Sequence, residues 1–167
     1  MKELKFIHIT KTGGTSIEDE GFSAGIEWGR HHKEYGWWHE IFTNKEEGLR
    51  SKYDWFMVVR NPYERIISEF HCKWGGVGEK ANFVGVQFFN EYLKREILNR
   101  GKITVNNHGS SYGDHYTEQH LYLDESVKTH VLKMENLTEE FDSLMSEYNI
   151  PLKLNRHNNS NRKVFEV

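Results

Sequence analysis

Residues 4–18 read LKFIHITKTGGTSIE, and the order of chemistry in this stretch decides the fold. Residues 4–10, LKFIHIT, are short, apolar and β-branched, the pattern of a buried strand. Lys11, Thr12, Gly13, Gly14, Thr15 and Ser16 break that pattern, and helix-start chemistry follows. Thr15 and Glu18 are spaced as a capping box, which would satisfy the first free N–H groups of a helix. Strand, glycine loop and helix result, with Gly21 marking an early end to the helix. A glycine pair at such a junction lets backbone N–H groups approach an anion, and the helix N-terminus adds partial positive charge. Lys11 adds a full charge, and Thr12, Thr15 and Ser16 offer hydroxyl donors. The segment has the chemistry of a site for a doubly charged phosphate-like group. As a bare pattern it also describes a tight turn with an exposed lysine.

Residues 53–59, YDWFMVV, repeat the buried-strand pattern and run into Arg60. Asn61 as N-cap, Pro62 at the first helical position and Glu64 at the third form a helix start, after which Ile66, Ile67, Phe70 and Trp74 recur at helical spacing. Residues 83–100 predict an amphipathic helix through Val86, Phe89, Leu93 and Ile97, terminated by Gly101. Residues 106–113 read as a polar loop, 115–124 as a short helix and 130–134 as a third strand. A final helix over 138–148 carries Leu137, Phe141, Leu144 and Tyr148 on one face, with Glu139 and Glu140 in its first turn, where the helix dipole favours them. Residues 25–48 are rich in His, Trp, Gly and charge without a clean period, and predict a loop-dominated insertion with one short helix. Alternating strands and helices give an α/β fold, a P-loop-like three-layer sandwich with a central parallel sheet. Ligands bind such folds at the carboxyl ends of the strands, where the glycine loop and Arg60 both fall.

The bulk numbers narrow the partner. The chain has 167 residues, enough for one domain spanning 1–167. Its formal charge of −3 is spread among interspersed acids and bases, which argues against nucleic acid or an anionic membrane and leaves a local anion site serving a small molecule or a glycan. Five Trp and eight Tyr suit both a compact core and the stacking of adenine or sugar rings. The one cysteine, Cys72, excludes an internal disulfide and a multi-cysteine zinc site, and reads as a small buried hydrophobe. Residues 1–5 lead directly into the first strand with no apolar run of signal-peptide or membrane-anchor length, so a cytoplasmic location is expected.

Three segments resemble one family. Residues 6–18, FIHITKTGGTSIE, are similar to the segment that grips the 5'-phosphosulfate in sulfotransferases dependent on 3'-phosphoadenosine 5'-phosphosulfate (PAPS). Residues 56–70, FMVVRNPYERIISEF, resemble their 3'-phosphate segment, in the correct order. Residues 130–141, HVLKMENLTEEF, resemble the third recurring strand and helix of the glycan branch, which includes the heparan and chondroitin enzymes. The resemblance implies that Lys11, Thr12, Gly13, Gly14, Thr15 and Ser16 hold the 5'-phosphosulfate and that Arg60 and Ser68 hold the 3'-phosphate. A guanidinium fork suits a phosphate; Ser68 is placed by resemblance alone. For Arg60 the plain alternative is a surface arginine paired with Glu64. Residues 157–162, HNNSNR, resemble the loop that closes over the nucleotide, which makes Ser160 and Arg162 further cofactor contacts.

Sulfuryl transfer, like phosphoryl transfer, needs an in-line nucleophile and neutralisation of charge on the departing phosphate. Lys11 is the candidate for that neutralisation. The acceptor hydroxyl must lose a proton, and histidine suits a base working near neutral pH. His39 is favoured because the family's catalytic histidine commonly lies between the two cofactor motifs; His32 and His31 are alternates and Glu40 a carboxylate candidate. His115 and His120 fall in a region that relatives use near nucleotide or acceptor, without an assigned role. No metal is expected, because the co-substrate carries its own activated group. A sugar acceptor is favoured by the third motif and by the aromatic, His-rich residues 28–38.

Three other readings compete. A P-loop nucleotide kinase would use the same strand, loop and helix, but its lysine follows the glycines whereas Lys11 precedes Gly13. A zinc hydrolase is suggested by His31, His32 and His39, yet Thr43 stands where the second histidine of H-E-x-x-H is required. A non-catalytic nucleotide-binding module would keep Lys11 and Arg60 in use and leave His39 replaceable.

Overall fold

The computed structural model describes residues 1–34, 39–99 and 115–155, the side chains of 97–99 excepted. Tyr35, Gly36, Trp37, Trp38, Gly101, the polar loop at 106–113, and the tail with Ser160 and Arg162 lie outside the described residues, as does the side chain of Ile97. The elements run β1 (Leu4–Ile7), α1 (Gly14–Ser23), α2 (Glu47–Arg50), β2 (Asp54–Val59), α3 (Pro62–Phe70), α4 (Val86–Asn99), β3 (Thr129–Lys133) and α5 (Leu137–Glu147), with short 3-10 turns between them.

The described strands form one parallel sheet in the order β1, β2, β3. Leu4 stands opposite Asp54 and Ile7 opposite Met57 on one side of β2; Trp55 stands opposite Thr129 and Val59 opposite Lys133 on the other. A central parallel strand is covered on both faces, which is why 53–59 reads as a continuous apolar run. Phe6, Phe56 and Val58 pack with Ile17 of α1 and with Phe141 and Leu144 of α5. On the opposite face Ile7, Trp55 and Met57 meet Phe42 and Tyr122, which belong to the 3-10 turns Phe42–Asn44 and Gln119–Tyr122. The result is an α/β fold with a central parallel sheet of the P-loop-like type. No helix among the described residues is long and apolar enough to cross a membrane.

Several local expectations are corrected. Gly13, not Thr15, occupies the N-cap of α1, in left-handed conformation and with no side-chain cap; Glu18 bonds to His8 and to the Arg30 N–H instead. Gly21 does not end α1. A Cβ there would lie 2.8 Å from the Trp28 ring, so this glycine makes room for a tryptophan. Trp28 is itself fully buried, its Nε1–H donating to the Leu4 carbonyl at 2.9 Å, and is a core residue rather than a sugar-stacking surface. Residues 115–124 hold a 3-10 turn in place of a helix. The helix expected from residue 83 begins at Val86, which is largely exposed, and buries Tyr92 beside Phe89, Leu93 and Phe70.

Candidate active site

The carboxyl ends of β1 and β2 open into one cleft of about 750 Å³, lined by Lys11, Gly13, Gly14, Thr15, Ser16, Arg60, Ser68 and His39 among others. Lys11 and Gly13 both adopt left-handed backbone, with φ of 62° and 83°, the conformation from which anion-binding nests are built. Gly14 lies against the His8 ring, which an added Cβ would overlap. Thr12 departs from its expected role. It is fully buried and its Oγ1 donates to the Ile9 carbonyl at 2.8 Å, so its hydroxyl fixes the turn and does not face the cleft.

Arg60 joins the two strand ends. Its Nη1 donates to the Lys11 carbonyl at 3.4 Å and its Nη2 to Glu64 at 3.3 Å. The pairing with Glu64 and a position in the cleft wall therefore coexist. The Gln119 amide brackets the same residue, accepting from the Arg60 N–H at 2.8 Å and donating to its carbonyl at 2.9 Å. Asn61 caps α3, its Oδ1 accepting from the Tyr63 N–H at 3.0 Å, and Pro62 opens the helix as expected. Arg65, one turn on, is buried and donates to the Thr10 carbonyl and hydroxyl and to the carbonyls of His115 and Thr117. It ties the end of β1 to the 115–117 segment that forms the far wall.

Three histidines line the cleft between two buried carboxylates. His8 Nδ1–H donates to Glu18 at 2.9 Å; the His8 and His39 rings are 4.7 Å apart and those of His39 and His115 5.6 Å; His115 Nδ1–H donates to Glu69 at 2.7 Å. Burial, reinforced by the charges of His8 and His115, holds His39 down at about 2, so its imidazole is neutral. Burial would likewise lower His115, but its contacts with Cys72 and Glu69 outweigh it and raise the ring to about 9. Burial disfavours the Cys72 thiolate, yet hydrogen bonds from His115 and from the backbone of Trp74 and Gly75 bring the thiol down to about 7.

The alternate bases are placed elsewhere. His32 is buried outside the cleft lining, edge-on to Tyr53, with the Glu34 N–H donating to its Nδ1 at 3.2 Å. His31 stacks on Phe22, and Glu40 pairs with Lys45; neither residue lines the cleft, and nor does His120. Sequence reasoning missed His8, Glu18, Arg65, Glu69, Gln119 and the part played by Cys72. The available signal was a helical stripe of non-aliphatic residues, Arg65, Ser68, Glu69 and Cys72, at i, i+3, i+4 and i+7.

A model of the sulfotransferase family matches residues 22–166, most of the chain, from the end of α1 through the second strand and third motif. The chain belongs to the sulfotransferase family. Membership makes it an enzyme of sulfuryl transfer, a family that uses a nucleotide co-substrate and an acceptor. His39, Arg60, Ser68 and the 115–117 wall lie inside the matched segment, while the glycine loop and most of α1 lie before it. Neither the curated proteins nor the solved structures contain a match to the chain.

Proposed function

We propose that this sulfotransferase takes its sulfuryl group from PAPS and passes it to a hydroxyl of a carbohydrate, with His39 as general base. The observation that carries this reading is the single cleft that gathers the Lys11–Ser16 loop, Arg60, Ser68 and His39. The loop, with its left-handed residues and helix start, is suited to the 5'-phosphosulfate. Arg60 and Ser68 are suited to the 3'-phosphate, and Ser160 and Arg162 would close over the nucleotide. During transfer the sulfur forms a bond to the acceptor oxygen as its bond to the 5'-phosphate oxygen breaks. Lys11 offsets the charge that gathers on the departing phosphate, and the acceptor proton passes to His39. Burial makes this imidazole a weak base, so the role requires the anionic nucleotide alongside to raise its proton affinity toward neutrality. Support for a sugar comes from Trp74, which is 81 % exposed on the cleft rim and offers an aromatic face to a ring.

Calorimetric titration with the desulfated product, 3'-phosphoadenosine 5'-phosphate (PAP), tests the assignment, with ATP for comparison. PAP should bind more tightly than ATP. Arg60→Ala should weaken it by about tenfold to a hundredfold, the size of a lost charge-assisted hydrogen bond. His39→Asn should bind PAP normally and transfer no sulfuryl group. A preference for ATP would return the nucleotide-kinase reading to the front, and PAP binding with transfer unaffected by His39→Asn would remove the histidine from the chemistry.

A further inference from the structure

One group of residues in and behind the cleft wall is not used by the transfer reaction. Glu69 lies in the last turn of α3, Cys72 follows two residues beyond that helix, and His115 comes in from the opposite wall. One potential ligand atom from each lies within 4.8 Å of the others. Glu69 is 1 % exposed, and its Oε2 has no hydrogen-bond partner among the described residues. A buried carboxylate oxygen left unpaired is costly and calls for a cation or a proton. Gly75 is needed for the packing, because an added Cβ would overlap the Glu69 carboxylate and come within 2.9 Å of His115 Nδ1.

We propose that Glu69, Cys72 and His115 form a binding site for a thiophilic divalent cation, zinc foremost, with its remaining coordination position turned to the cleft. The donor set is one sulfur, one imidazole nitrogen and one carboxylate oxygen, the three ligand types that zinc accepts. Magnesium and calcium, which prefer sets made wholly of oxygen, are disfavoured by the thiolate. Three protein ligands leave a position for water or another oxygen, as in zinc sites that stay open. Cys72 and His115 both line the cleft while Glu69 closes the site from behind, so the open position faces the space shared with His39. Binding displaces protons from the thiol and the ring, replacing the hydrogen bond between His115 and Glu69 by coordination of both. A single cysteine excludes a multi-cysteine zinc site and leaves a mixed one open. Nothing in sulfuryl transfer requires this cation, and the site stands whether or not PAPS is the donor.

Cobalt(II) is the probe. The full-length protein, stripped with a chelator, should take up one equivalent of Co²⁺ and develop a near-ultraviolet thiolate-to-cobalt band with visible bands of tetrahedral type, all bleached by Zn²⁺. Cys72→Ser should lose the charge-transfer band. Glu69→Gln and His115→Asn should lower zinc affinity by at least about tenfold, the loss that even outer-shell partners of metal ligands cause. Circular dichroism establishes that each variant is folded. In the unmodified chain, where folding is not in question, one equivalent of Zn²⁺ should also slow alkylation of Cys72 by iodoacetamide. Absence of the thiolate band in the wild type, its persistence in Cys72→Ser, or alkylation indifferent to Zn²⁺ overturns the proposal. PAP titration of the stripped protein reads the nucleotide site separately, so failure of one assignment is distinguishable from failure of the other.

Discussion

At Lys11 the backbone and the side chain ask for different residues. Its φ of 62° lies in the left-handed region, where a Cβ costs roughly 1–2 kcal/mol and glycine is free of that penalty. Strain of this kind persists where function requires it, and the proposed contact of the Lys11 charge with the nucleotide would supply the requirement. Lys11→Gly should therefore separate stability from function. Relief of strain, less the extra freedom glycine brings to the unfolded chain, should leave the variant more stable by about 0.5–1 kcal/mol, read as a raised urea midpoint at unchanged slope. The same change should weaken PAP binding by about tenfold or more, since a charge-assisted contact is lost. Unaltered PAP affinity would mean that the Lys11 charge is not directed at the nucleotide. Arg65 makes the complementary point, since its four hydrogen bonds to the two cleft walls make a buried charge serve position rather than binding.

Helix α3 shows which parts of the site the sequence makes legible and which it hides. Its start was readable because Asn61 and Pro62 act locally. Its orientation was not. Ile66 and Ile67 are only half-buried, while Arg65, Ser68 and Glu69 turn inward under the cleft, because the neighbouring space is a polar site and hydrophobic periodicity assumes a dry core. Glu18 misled in a similar way. As a residue three beyond Thr15 it resembled a cap, but His8 and Arg30 claim its carboxylate, and neither contact follows from spacing. His8 reads as an interruption of an apolar strand until Gly14 is seen to lie against its ring. The strand ends, the glycine loop and Arg60 were legible because each carries its chemistry within a few residues; His115 is 46 residues from Glu69, and only folding brings them together. The loop and α1 meet β1 at Gly14, which yields a prediction for this junction. Gly14→Ala should displace the His8 ring, destabilise the protein by about 1–3 kcal/mol as overpacking does, and reduce transfer activity. Gly48→Ala, with nothing within 4 Å of the added Cβ, should leave both unchanged or slightly raise stability. If both alanines behave alike in urea titrations, the close approach at Gly14 is not what holds the loop.

Across the whole molecule, the histidines fall in two kinds of place. His8, His39 and His115 line the cleft at the carboxyl edge. His32 lies outside the residues that line it, buried against Tyr53. Burial, aided by the charge of Lys5 and opposed in part by Glu34, Glu3 and Glu27, lowers its ring from 6.5 to about 4. The Glu34 N–H already donates to Nδ1, so the fold satisfies the neutral ring at that atom. Between about pH 6.5 and 4 the unfolded chain takes up a proton on this residue and the folded chain does not, so acidification across that window favours unfolding. The contribution is complete above the unfolded value and lost as the pH falls toward the folded one. His32→Phe keeps a ring beside Tyr53 and removes the titration. Urea unfolding at a series of pH values should show the wild type losing more stability than the variant between about pH 6.5 and 4, with the difference levelling off above about pH 7. Because carboxylates titrate in both proteins, the difference between the two curves isolates the imidazole. Parallel curves would mean that His32 accepts its proton in the folded state as readily as in the unfolded one, and that the wall between β1 and the 3-10 turns admits a charge there.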